Sequence, residues 1–291
     1  MATELGLVKV TVLLAALAAA SYCDGRKRET PNWLNYGLVA AGLAFNTLQS
    51  VILLDWKPIV FSVTGLVALF AAAYVMFYSG QWGGGDSKLL IAIGAFLGAP
   101  FTISQFPFVD VNSQLVSFLA NLMLVGVVYA FAYGIVMAVR NHKKFAAEAS
   151  LRLRKYALAR RALLLASAFA LATAFFVQDL MVRMLIAAAA VLLVATFYLA
   201  IFAKSVEKAC MLKHVSPLAL TEGDWIAEEV RVGGKYVCGP KDLGIEKQQI
   251  AKLISYYKKG KVKRILIKEG VPFVPTFLIA YLVTLVYGNV F

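Results

Sequence analysis

Charge is what this sequence has least of. Asp, Glu, Lys and Arg make up 15% of its 291 residues while 61% are hydrophobic; a soluble domain carries roughly a quarter charged residues. An ordinary water-soluble fold is therefore excluded. Cysteine is scarce too. Cys23, Cys210 and Cys238 show no CxxC spacing, so neither a zinc site nor a disulfide framework has support. The two histidines, His142 and His214, sit in basic polar stretches, where solvated side chains are expected. No metal and no cofactor is implied. Acidic residues are outnumbered, 16 against 29 basic, for a net charge of +13. The excess is gathered in a few loops, the pattern of membrane topology and anionic lipid contact. Lipids are thus expected partners and nucleic acid is not.

What the chain does have is long apolar runs, with a mean hydropathy of +0.75. About 20 apolar residues are needed for each crossing, and the pattern predicts an all-α polytopic membrane protein of about eight transmembrane helices. A small α+β cytoplasmic domain precedes the last of them. The expected helices are residues 5–22, 33–54, 59–78, 86 to about 101–106, 114–139, 162–177, 181–203 and 271–287. This divides the chain into N-terminal helices (1–139), a basic cytoplasmic loop (140–161), two additional helices (162–203), the polar domain (204–268) and a C-terminal helix (269–291). Val10 to Ala20 has the look of a signal core. The stretch before it holds Glu4 and a single Lys9, whereas Arg26, Lys27 and Arg28 follow it. A retained first helix with its N-terminus outside is the expected reading.

Within residues 204–268, Glu228 to Val237 alternates around Gly233-Gly234, which predicts a small hairpin. Ile245 to Tyr257 has helical spacing, and Val262 to Ile267 reads as a short strand. With eight crossings, only Lys9, Lys57 and Arg183 of the 29 basic residues fall outside. Asp24 and Asp86 then lie at one depth on the cytoplasmic side. The loop 107–112, which lacks Lys and Arg, falls outside, and Asp55, Asp110 and Asp179 read as solvated helix caps.

Asp24 and Asp86 carry the chemistry. Each stands at the mouth of an apolar helix, where a carboxylate costs several kcal/mol to hold in hydrocarbon. Gly83-Gly84-Gly85 before Asp86 permits a tight turn and a close helix approach, because glycine has no Cβ. Two nearby carboxylates do not readily ionise together, so they share a proton and titrate as a pair. One then takes a proton from an attacking water while the other polarises the scissile carbonyl and protonates the leaving amine. No metal or cofactor is required.

Gly83-Gly84-Gly85-Asp86 resembles the GxGD motif of membrane aspartyl proteases, and Ser87-Lys88-Leu89-Leu90 is similar to its continuation in prepilin and preflagellin peptidases. Asp24, its basic run and Thr30-Pro31-Asn32 resemble the first catalytic region of that family. Lys268 to Pro275, following a small polar domain, is similar to the archaeal branch. The resemblance implies a class III (type IV prepilin-like) signal peptidase, which removes a short basic leader from pilin-like or archaellin precursors at the cytoplasmic face. It implies Asp24 and Asp86 as catalytic residues and Gly83 and Gly85 as loop-shaping ones. Pro272, Phe273 and Pro275 become candidate cleft residues.

Lys88 is a further candidate contact, although two residues along a helix does not face Asp86; snorkelling to the surface is its commoner fate. Glu222, Asp224, Glu228 and Glu229 form an acidic patch, a candidate receiver of a basic leader or a solvated surface. The helix pair 162–203 is an addition to the six-helix core that the resemblance implies. Two other functions compete. A presenilin-like or signal-peptide-peptidase-like protease shares the GxGD chemistry but not the early position of Asp24 or Thr30-Pro31-Asn32. An ion transporter calls for polar residues deep in several helices and an internal repeat, neither of which stands out. The natural substrate and the oligomeric state are not specified by the sequence.

Overall fold

The computed structural model describes residues 2–100 and 113–288, and it is mostly helical. Helices α1 (Ala2–Lys27), α2 (Asn32–Leu53), α3 (Lys57–Tyr78), α4 (Gly84–Leu97) and α5 (Gln114–Arg140) form the first half of the chain. Then come α6 (His142–Lys155), α7 (Ala157–Phe175) and α8 (Leu180–Val206), whose end loosens into a π-helical turn at Glu207–Met211. The expected outer loop at 107–112 lies outside the described residues.

Six of the described helices are long and apolar enough to cross a membrane: α1, α2, α3, α5, α7 and α8. The chain is a multi-pass membrane protein. The expected fourth and eighth crossings differ. Helices α4 and α10 (Val274–Tyr287) have 14 residues each, which is about 21 Å of helix against a hydrocarbon core of about 30 Å.

Helix α4 is short because it lies inside the bundle. It packs on α2 and α3, and more lightly on α1 and α5. Leu89, Leu90, Ala92, Ile93, Ala95 and Phe96 are all buried. Around it, α10 packs against α1 and α5, so one apolar core joins six helices. A helix ending in such a place exposes carbonyls that water does not reach, and its neighbours supply donors. Asn46 Nδ2 donates to the carbonyl of Ala95 at 2.9 Å, Ser62 Oγ to the same oxygen at 2.5 Å, and Thr64 Oγ1 to Ala99 at 3.0 Å.

Close crossing of α3 and α4 depends on glycine. A Cβ on Gly65 would strike the Gly94 carbonyl, and one on Gly94 would lie 2.5 Å from the Gly65 oxygen. Small residues let membrane helices approach this closely and gain dispersion contact in the absence of a hydrophobic driving force.

The stretch 140–161 was expected as a loop. It instead contains α6, whose basic residues include Lys143, Lys144, Arg152, Arg154 and Lys155, and the first turn of α7. The sequence HKKFAAEASLRLRK has good helix formers and no Gly or Pro, and Glu148 meets Arg152 one turn on at 2.9 Å. Helices α7 and α8 form the expected hairpin, with Asp179 capping α8 through Val182 N–H.

The polar region carries two small sheets. The hairpin is present as β3 (Val230–Val232) and β4 (Lys235–Cys238), with Gly233 and Gly234 both at positive φ as a tight hairpin turn requires. The expected helix is α9 (Lys247–Lys258), opened by a capping box between Glu246 and Gln249. The late strand is β5 (Ile265–Lys268), the centre of an antiparallel sheet with β1 (Leu212–Val215) on one edge and β2 (Trp225–Ile226) on the other. Neither edge strand was expected from the sequence.

Replacing Gly94 with valine is expected to cost about 1–3 kcal/mol by overpacking and to lower the melting temperature of the detergent-solubilised protein. Gly37→Ala, whose Cβ meets nothing within 4 Å, serves as the control and should leave it unchanged within about 1 kcal/mol.

Candidate active site

Asp24 lies in the last turns of α1 and is 7% exposed. Its Oδ2 accepts a hydrogen bond from the backbone N–H of Val274 at 3.0 Å, where the chain enters α10. Asp86 is the third residue of α4, so its carboxylate sits at the positive end of the helix dipole. It turns back to accept from the N–H of Gly83, the residue that caps the helix, which satisfies one of the donors a helix start leaves unpaired. The charge of Asp24 acts on Asp86, and Arg28 acts in turn on Asp24. The two aspartates thus come from different helices into one electrostatic neighbourhood.

Of the two uses expected of the glycines before Asp86, the close approach is made at Gly85, while the left-handed turn lies earlier in the chain. None of Gly83, Gly84 and Gly85 has a positive φ, and Gly83 is extended at φ −71°. Conformational freedom is used three residues earlier, at Gly80 with φ 70°. What Gly85 provides is space. A Cβ there would stand 2.6 Å from Thr30 Oγ1, whereas one on Gly83 would make an ordinary 3.5 Å contact with Asp86. Thr30 is buried and accepts from Asn35 Nδ2 at 3.1 Å. The Thr30-Pro31-Asn32 stretch therefore wedges against the start of α4. Asn35 Oδ1 and Ser87 Oγ are buried without a hydrogen-bond partner among the described residues.

Lys88 is held by residues of α2. Its Nζ donates to Asn32 Oδ1 at 2.8 Å and lies 5.9 Å from the Tyr36 ring. Phe273 packs on Trp82 and Phe277, with centroids 5.7 Å apart in both pairs, and against Gly126. Pro272 is buried, and Pro275 stands in the first turn of α10, where a missing N–H costs nothing. The structure thus joins the 272–275 segment to Asp24 through backbone, and to the residue before Gly83 through aromatic contact. Sequence reasoning passed over Trp82, Asn35 and the Val274 amide. The first two had a signal, each lying within three residues of a quoted motif, while a backbone donor has none.

Three residues of the acidic patch are tied up locally. Glu222 pairs with Lys247 at 3.2 Å, Glu229 with Arg231 at 2.9 Å, and Asp224 accepts from Thr221 N–H. Among the described residues, no three His, Cys, Asp or Glu side chains gather as metal ligands would.

Residues 11–139 match the type IV leader peptidase family. That stretch contains Asp24, Asp86 and the three glycines, and it ends before the 272–275 segment. The preflagellin peptidase of Methanococcus maripaludis is 35% identical over 91 residues, 31% of this chain and 39% of that protein. The preflagellin peptidase of Methanocaldococcus jannaschii is 31% identical over 91 residues, 31% of this chain and 38% of that protein. The prepilin peptidase EppA of Methanothermobacter thermautotrophicus is 27% identical over 153 residues, 47% of this chain and 38% of that protein. The matches span about two fifths of the length of these relatives.

The Thr30–Gly85 contact predicts an interaction between two substitutions. Gly85→Ala should cost about 1–3 kcal/mol in the wild-type background. On a Thr30→Ala background, where the remaining neighbours stand 3.5 Å or further away, the added cost should fall below about 1 kcal/mol. Thermal melts of the four proteins measure both.

Proposed function

We propose that the chain is a membrane aspartic endopeptidase that removes a short basic leader from pilin-like or preflagellin (archaellin) precursors, with Asp24 and Asp86 as its catalytic pair. One observation carries the reading. Two carboxylates at the ends of separate helices of a largely apolar bundle lie near enough for the charge of one to act on the other, and both lie within the segment that matches the leader peptidase family. The names of the relatives supply the substrate class.

In this reading the ionised carboxylate takes a proton from water as the water oxygen attacks the scissile carbonyl. The protonated carboxylate hydrogen-bonds to that carbonyl oxygen, and as the tetrahedral intermediate collapses the C–N bond breaks and the leaving amine takes up a proton. Gly83 orients Asp86 through its N–H, and Gly85 keeps the approach to Thr30 open. Phe273 and Trp82 line the cleft, and Pro272 and Pro275 stiffen its border; Lys88 is a structural contact to α2. The eight apolar segments alternate across the membrane, with the site at the cytoplasmic face. Arg26, Lys27, Arg28 and the basic α6 favour that orientation, and α6 lies against anionic headgroups.

Membranes holding the wild type should cleave a pilin-like or archaellin precursor. Asp24→Asn and Asp86→Asn, at matched membrane levels, should each slow cleavage by about 10²–10⁴-fold. Full activity in Asp24→Asn would refute the pairing. A wild type inert on all such precursors would refute the substrate class.

A further inference from the structure

Arg28 has a left-handed backbone, with φ 59°. Residues other than glycine rarely adopt this conformation, and it persists where the surroundings over-determine it. The surroundings here are specific. The Arg28 N–H bonds the Asp24 carbonyl at 2.9 Å, and its guanidinium donates to Tyr133 Oη on α5 at 3.0 Å. The same guanidinium lies 3.8 Å from a carboxylate oxygen of Glu269, whose other oxygen pairs with Lys213 on β1.

Glu269 follows β5, and its own N–H bonds the Met211 carbonyl at 2.9 Å. The neighbouring Lys268 pairs with Glu207 at 2.6 Å. Five residues beyond Glu269 comes Val274, the N–H that holds Asp24 Oδ2. The strap 269–274 is therefore tied twice to the C-terminal end of α1 and the residue that follows it: by side chain at its start, through Arg28, and by backbone at its end, through Asp24. A lone ion pair this exposed and this long contributes little. In this case one carboxylate is shared by two cations, one of which is also bonded to a tyrosine, so the contacts form a network.

We infer that Arg28 and Glu269 form a clasp that positions Asp24. Arg28 holds the start of the strap, the strap fixes the Val274 amide, and that amide fixes the rotamer of the Asp24 carboxylate. The polar domain, through Lys213 and Glu207, is thereby coupled to the site. Neither residue touches substrate; both are positioning residues. The catalytic consequence rests on the endopeptidase reading, while the clasp itself does not.

The test uses the full chain in detergent with a pilin-like precursor, comparing wild type with Arg28→Gln, Glu269→Gln, the double variant and Arg28→Lys. Since misplacing a reacting group by about 1 Å costs on the order of 10²-fold, each Gln variant should lose about 10- to 100-fold in kcat, with KM within about twofold. The double variant should be no worse than the worse single, and Arg28→Lys should recover part of the loss. Unchanged kcat, additive losses, or a raised KM with intact kcat would overturn the inference.

A second readout needs no substrate. Cys23, beside Asp24, is partly exposed while Cys210 and Cys238 are buried. Labelling of Cys23 by a maleimide should quicken equally in the two Gln variants and the double. Unchanged Cys23 labelling, or equal gains at all three cysteines, would overturn the local clasp even where no precursor is cut. A wild type that cuts nothing but shows the labelling pattern would refute the endopeptidase reading and keep the clasp.

Discussion

A polar group placed within a membrane bundle must find its partners in the protein, since unsatisfied groups cost several kcal/mol each in hydrocarbon. Helix α4 brings this constraint to both of its ends. At the start, Asp86 bonds the Gly83 amide and faces the helix dipole. At the finish, Asn46, Ser62 and Thr64 take up carbonyls of residues 95 and 99. With donors supplied to its last carbonyls by neighbouring helices, a 14-residue helix can stop inside the bundle. The other packing follows: α2 and α3 close on it through Gly42, Gly65 and Gly94, and α1 carries Asp24 to its N-terminal end.

The second aspartate is held differently. Asp24 borrows a backbone donor from a segment 250 residues further along the chain. Its environment therefore depends on where α10 begins, and hence on the strap and polar domain that deliver the chain there. The matched segment 11–139 contains both aspartates but not this donor. Residues after 139 thus complete the surroundings of a pair that the earlier residues supply.

Much of this was legible in the sequence, for physical reasons. Apolar runs of span length disclosed α1, α2, α3, α5, α7 and α8, since bilayer thickness fixes their length. The Gly233-Gly234 hairpin and α9 followed from turn chemistry and helical spacing. Asp24 and Asp86 stood out as carboxylates at the mouths of apolar helices. What escaped was set by tertiary contact. The early end of α4 depends on donors from other helices, the short strands β1 and β2 depend on pairing with β5, and α6 was obscured by its charge. The close approach expected at the glycines is made at Gly85, and its neighbour there, Thr30, is set by tertiary contact. The Lys88–Asn32 bond joins two helices and is likewise set by tertiary contact.

The central claim is that Asp24 and Asp86 act together on one tetrahedral centre. Its most direct measurement is the affinity of a precursor-derived peptide whose scissile amide is replaced by a hydroxyl-bearing tetrahedral isostere, since such groups bind through contacts made in the transition state. Wild type should bind it at least about 10²-fold more tightly than the parent peptide, and each single aspartate-to-asparagine change should remove most of that gain. Retention of the full gain in either variant would contradict a shared site.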